Sequence, residues 1–261
     1  MIKLMKYELL RRKQLLIGAL LAILVLEGIT VYAIYQGGNW NVLAILLTFL
    51  LVIGTMLLPI LNTVTKLYAD FKQKQGYMLF LTPQSGYKIL WTKTIYGAIE
   101  ILAAILLVAG CLFLSGFAVD HFQGNAVSSM LASMQQEMGP ISLGSAGFVY
   151  VLLIFLQMLA QLSIAMLAVT VSRSIMPATN YGWLIALLMY FAFVIGVNIV
   201  NGVLLLAFGL GGDIIQIAQN NIADIGGMIA KYLTVGAVTY LLWFVGCTVL
   251  SGRLVNKNVD L

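Results

Sequence analysis

The chain has 261 residues, of which 62% are hydrophobic and only 9% charged, and its mean hydropathy is +1.02. Soluble domains carry about 25% charged residues, so this composition leaves too few polar groups to cover a water-facing surface. No long hydrophilic block remains, which excludes a separate soluble catalytic domain and points to one membrane domain covering residues 1–261.

The first element is basic and amphipathic. Over residues 2–13, Ile2, Met5, Leu9 and Leu10 share a helical face, opposed by Lys3, Lys6 and the Arg11–Lys13 cluster. That pattern predicts a short interfacial helix lying on anionic lipid, with a plain basic flank as the alternative. The apolar run that follows is long for a signal peptide and more spans come after it, so an uncleaved first span is expected. Six runs are long enough to cross a core of about 30 Å at 1.5 Å per residue: roughly 14–35, 41–62, 94–119, 146–171, 181–205 and 228–251. They are continuous rather than alternating, so the predicted fold is all-α with six transmembrane helices and no β-barrel.

Three segments between spans are not plain linkers. Residues 70–93, DFKQKQGYMLFLTPQSGYKILWTK, place four lysines around a Gly, a Thr-Pro and a Ser-Gly. In 127–138, Val127, Met130, Leu131, Met134 and Met138 recur at helical spacing, and Gly139-Pro140 ends the pattern. In 213–226, Asp213 with Gln216 resembles a capping box and Gly226-Gly227 a stop, around an apolar face of Ile214, Ile215, Ala218, Ile222 and Ile225. This last piece is too short to span, and it would lie on the outer leaflet or dip in as a re-entrant element.

The cations assign the sides. With six spans, 13 of the 14 Lys and Arg fall before span one, between spans two and three, between four and five, or after span six. The opposite loops hold none. The positive-inside rule then puts both termini and the 70–93 loop in the cytoplasm, and explains the net charge of +5 as topology rather than nucleic-acid binding. In this reading Lys66 and Lys93, at the loop flanks, serve topology alone.

No catalytic set stands out. The lone histidine, His121, is in an outer loop, and Cys111 and Cys247 both lie in apolar runs as small buried hydrophobes. The sequence contains no H-E-x-x-H, G-x-S-x-G or G-x-x-x-x-G-K-[ST] motif, so an ATP-driven process would need a second chain to hydrolyse ATP. Three ionisable residues fall within spans: Glu27, about 20 Å above the inner edge, Glu100 nearer the cytoplasmic end, and Lys231 just inside span six. Glu27 and Lys231 have similar depths, so they either pair or each reach for an interface. Gln157 with Gln161, and Asn198 with Asn201, read first as amides that join helices and second as groups lining a pathway.

The 70–93 stretch carries a resemblance. Gly76, the apolar run 77–81, Thr82-Pro83-Gln84-Ser85 and Lys93, set between spans two and three after a basic N-terminal helix, resemble the permease subunit of small bacterial ABC-2 type ABC transporters. Tyr77 and Met78 stand where that family usually has an acidic residue. The resemblance implies an elbow helix at the N-terminus and a coupling helix over Tyr68–Gln75. It makes Tyr68, Asp70, Phe71, Lys72, Lys74, Gln75, Gly76, Thr82, Pro83, Ser85 and Arg173 the residues that meet an ATPase. It also implies two P-loop ATPase subunits carrying ATP and Mg, a second permease, identical or related, and an outer gate at 213–226. The implied activity is export of an amphipathic or hydrophobic substrate such as a peptide, lipid or drug, including immunity to antimicrobial peptides. The competing readings are an ion-gradient-driven transporter, which would be built from repeats of broken helices, and a membrane enzyme or sensor anchor, which would need a polar cluster or a soluble appendage.

Overall fold

The computed structural model describes residues 2–72, 86–124, 126–138, 143–175, 182–208 and 225–259. They form seven helices: α1 (Ile2–Gln36), α2 (Trp40–Lys72), α3 (Gly86–Gln123), α4 (Ala126–Met138), α5 (Leu143–Ile175), α6 (Gly182–Ala207) and α7 (Ile225–Val259). Among the described residues there is no strand. Six segments are long and apolar enough to cross a membrane: Lys13–Gln36, Trp40–Phe71, Tyr87–Gln123, Gly147–Ile175, Gly182–Leu204 and Leu233–Asn256. They mark a multi-pass helical membrane protein. The seventh helix, α4, coincides with the Met-rich pattern of 127–138, and its 13 residues are too few to span.

The helices overrun the expected spans, and the reasons are local. α1 is continuous from Ile2, so the interfacial helix expected over 2–13 is not a separate element. Residues 2–17 contain neither Gly nor Pro and are mostly strong helix formers, so nothing breaks the ladder. α2 likewise continues to Lys72, so Tyr68–Lys72 prolongs span two instead of opening a short coupling helix. Between Pro59 and Gly76 no breaker occurs, and Thr63, Leu67 and Asp70, spaced i, i+4, i+7, form one buried face. α3 starts at Gly86, well before residue 94, because Lys88 and Lys93 depress hydropathy without interrupting the helix. Gly226 and Gly227, expected as a stop, lie in the first turn of α7, where backbone N–H groups have no intrahelical acceptor and a helix tolerates glycine. The Gly139-Pro140 stop and residues 213–224 lie outside the described residues.

The chain divides into two compact units, with α2 and α3 contributing to both. The first comprises Met1–Leu61 and Ala98–Leu143. Gly37 and Gly38, with φ of 66° and 56°, make the reversal between α1 and α2, a backbone conformation that disfavours any residue with a Cβ. Ala33 and Ile34 of α1 then pack on Ala44 of α2 and Ala118 of α3, and Ile23, Leu51 and Cys111 repeat the three-helix contact lower down. The small residues at these crossings let the backbones approach closely. Asp120, near the end of α3, accepts hydrogen bonds at Oδ1 from the Val127 (2.7 Å) and Ser128 (3.2 Å) amides and so caps α4.

The second unit comprises Asn62–Gly97 and Gly144–Leu261. Ile164 and Leu167 of α5, Val197 of α6 and Cys247 of α7 form its apolar core, flanked by Trp243 and Phe193. α5 is the central helix: 56% of its apolar window is buried, against 11% for α6 and 17% for α7, whose outer faces are left for lipid or another chain. Gly97 sets how closely α3 meets α2 and α5. A Cβ there would fall 2.6 Å from Leu162 Cδ2 and 3.3 Å from Thr63 Oγ1, and Leu162 is fully buried with nowhere to move. Gly97→Ala is therefore expected to cost about 1–3 kcal/mol through overpacking. Gly110→Ala, where a Cβ would meet nothing within 4 Å, should be neutral or slightly stabilising. Thermal unfolding of the two variants in detergent, followed by circular dichroism, checks the contrast.

Candidate functional site

Two contacts in the second unit tie together the ends of the chain's interhelical loops. The first is a buried ion pair. Asp70, in the last turn of α2, and Lys93, about two turns into α3, are 3% and 1% exposed, and Lys93 Nζ donates to Asp70 Oδ2. Two charges removed from water repay their desolvation only when each keeps the other, so the pair fixes the base of the loop between α2 and α3. Lys93, read from the sequence as a flank that serves topology alone, is also a buried partner of Asp70. Asp70, expected among the ATPase-coupling residues, is turned inward and acts on the loop by holding its ends.

The second contact joins the other loop. The Arg173 guanidinium, at the end of α5, sits 4.3 Å from the centroid of the Tyr68 ring. Gly182, at the start of α6, closes on both: a Cβ there would lie 3.3 Å from Tyr68 Oη and 3.5 Å from Arg173 Cζ. A desolvated cation over an aromatic face contributes on the order of 2 kcal/mol. Thus the end of α2, the end of α5 and the start of α6 converge on one ring. Phe71 is half-buried beside them in sequence. Lys74, Gln75, Gly76, Thr82, Pro83 and Ser85 lie outside the described residues, as does the side chain of Lys72.

The intramembrane polar residues separate into distinct environments. Glu27 is 6% exposed and accepts a hydrogen bond from Ser115 Oγ at 2.8 Å, so it does not reach for an interface. The side chain of Lys231 lies outside the described residues. Glu100 is also buried. In the second unit, Gln161 Oε1 accepts from Tyr190 Oη at 3.1 Å and joins α5 to α6, with Gln157 half-buried one turn earlier. Asn201 Oδ1 accepts from Trp243 Nε1 at 3.1 Å and joins α6 to α7. Asn198 instead donates to Val194 O on its own helix and is exposed.

The first unit also contains a groove of about 640 Å³ between α1, α2 and α3. Ile45, Phe49, Val52 and Leu112 are among its apolar walls, and Asn41, Thr48, Ser115 and Gln123 supply its polar atoms. Sequence reasoning missed this groove, Ser115 and the burial of Lys93. No group of three or more His, Cys, Asp or Glu that could hold a metal occurs among the described residues. These features define a polytopic helical membrane protein. No known protein family, curated protein or solved structure matches the chain.

The ion pair makes a sharp prediction. Asp70→Asn or Lys93→Met alone leaves one buried charge uncompensated and should cost about 3–5 kcal/mol, whereas the double change Asp70→Leu with Lys93→Met should recover most of the loss. Unfolding midpoints of the three variants in detergent measure this. A double variant no more stable than the singles would show that the pair does not act as a unit.

Proposed function

We propose that the chain is the membrane-spanning permease of an ATP-driven exporter of the ABC-2 type. In this reading it sits in a bacterial cell membrane with both termini in the cytoplasm. Two permeases, identical or related, form the pathway, and two P-loop ATPase subunits, which hold ATP and Mg, dock below. The observation that carries the proposal is the convergence on Tyr68. The resemblance assigns ATPase contact to the first loop and to the loop after Arg173, and the helix ends that flank these two loops are joined through the Tyr68 ring, Arg173 and Gly182. One docked partner could then engage both loops at once.

The division of labour follows from the chemistry. Lys72 and Lys74 offer positive charge to an acidic docking surface. Asp70 and Lys93 hold the two ends of the first loop together, so that a push on it displaces α2 and α3 as a pair. Arg173 carries the same displacement to α5. The substrate is amphipathic or hydrophobic, in keeping with apolar walls that admit it sideways from the bilayer. A second reading, transport driven by an ion gradient, draws on Glu27, since a buried intramembrane carboxylate is the kind of group that marks ion pathways.

Co-expression with the genes that neighbour its own, followed by purification and a search for a bound P-loop ATPase, separates the two. The expected result is a stable complex whose affinity falls about tenfold, equivalent to about 1.4 kcal/mol, when Lys72 and Lys74 are both changed to Glu, with membrane insertion unchanged. Gradient-driven flux in proteoliposomes containing this chain alone would instead establish the second reading and overturn the first.

A further inference from the structure

The groove in the first unit has the chemistry of a ligand site, and its charge selects the ligand. We infer that it binds a single-chain cationic amphiphile, a long alkyl chain ending in an ammonium group, with the ammonium against Ser115 and the chain along Phe49, Val52 and Leu112.

Size comes first. About 640 Å³ lies within the range of roughly 300–1,000 Å³ occupied by small-molecule sites. Shape comes second. Asn41 and Gln123, linked by a 2.8 Å hydrogen bond from Gln123 Nε2 to Asn41 Oδ1, close one end of the groove near the helix termini. Ser115 lies about 12 Å further along α3 at 1.5 Å per residue. A mostly apolar groove with polar atoms at its end and partway along suits a chain with one polar head.

Charge decides which head. Ser115 Oγ gives its hydrogen to Glu27 Oε1, so the hydroxyl presents its lone pairs to the groove with a carboxyl group directly behind it. The sequence has no Lys or Arg between residues 14 and 65 or between 94 and 172, so the groove walls offer an anionic head no counter-charge, while Glu27 stands one hydrogen bond behind the Ser115 wall. Gly116 adds a physical handle: it lines the groove, and a Cβ there would meet only Val127 Cγ1 at 3.9 Å. A larger side chain can therefore fill the space without moving a helix.

This inference concerns the chain by itself, and its test contains no ATPase, so its failure is distinguishable from failure of the exporter reading. The full chain is placed in phosphatidylcholine nanodiscs, and radiolabelled dodecyltrimethylammonium is titrated against empty nanodiscs as background. Saturable binding is expected in the wild type, with dodecanol, the same chain without the charge, competing at least about tenfold more weakly. Glu27→Gln should lower affinity about tenfold, and Gly116→Leu should abolish saturable binding with the helical circular dichroism retained. Three outcomes overturn the inference: no saturable component in the wild type, equal competition by dodecanol (a groove for any lipid chain), or full affinity in a folded Glu27→Gln variant. The dodecanol comparison uses the wild type and therefore decides even if a variant fails to fold.

Discussion

The second unit is held in register by the Lys93–Asp70 ion pair. In a chain with 9% charged residues, burying two of them at 1% and 3% exposure dictates how α2 and α3 lie. A slip by one turn would strand both charges in apolar surroundings at a cost far above any packing gain. With that register fixed, Thr63 falls opposite Gly97, and the bare glycine backbone lets Leu162 of α5 seat against α3. Thr94 then reaches Met166 Sδ, at 3.7 Å, one turn further along the same crossing. Tyr68, in the same stretch of α2 as Asp70, is presented to Arg173. One electrostatic constraint thus propagates through a glycine contact into the placement of the central helix.

Elsewhere the membrane setting shows in how sparingly polar groups are used between helices. Most hydroxyls in the spans turn back on their own helix: Thr30, Thr48, Thr94 and Thr248 each donate to the carbonyl four residues earlier. Self-satisfaction of this kind leaves few groups to be paid for in a medium without water. Among the polar contacts that do cross between helices, Ser115–Glu27, Tyr190–Gln161 and Trp243–Asn201 each join one pair of side chains. Interhelical bonds of this type average only about 0.6 kcal/mol in membrane bundles, so they select among packings whose stability comes from close contact of Ala, Gly and Cys surfaces.

The six spans were legible in the sequence because a run of about 20 apolar residues has few other uses, and α4 because its Met and Leu residues keep a helical period. The helix ends were not legible. Hydropathy ends a span at the first lysines, whereas a lysine that buries its charge against a partner continues the helix, as Lys93 does. That partner is 23 residues away across a loop, and nothing in local spacing announces it. Ser115 was invisible for a related reason: it is one small polar residue in an apolar run, and only the parallel placement of α1 and α3, 88 residues apart, makes it the partner of Glu27. The loop motif that suggested the transporter resemblance falls mostly outside the described residues.

The two units divide the chain's chemistry. Apart from the N-terminal cluster, every Lys and Arg belongs to the second unit, while the first holds Glu27, Glu100 and Asp120 with no cation beyond residue 13. The helices that line the groove, α2 and α3, are the same ones whose other ends are locked by Asp70 and Lys93. The two helices differ in regularity. Pro59 removes one backbone hydrogen bond from α2 and leaves the Thr55 carbonyl without its usual amide, giving that helix a soft point between Asp70 and the groove residues Thr48 and Phe49. α3 has no proline from Gly86 to Gln123, so nothing in its sequence interrupts the hydrogen-bond ladder over its 38 residues.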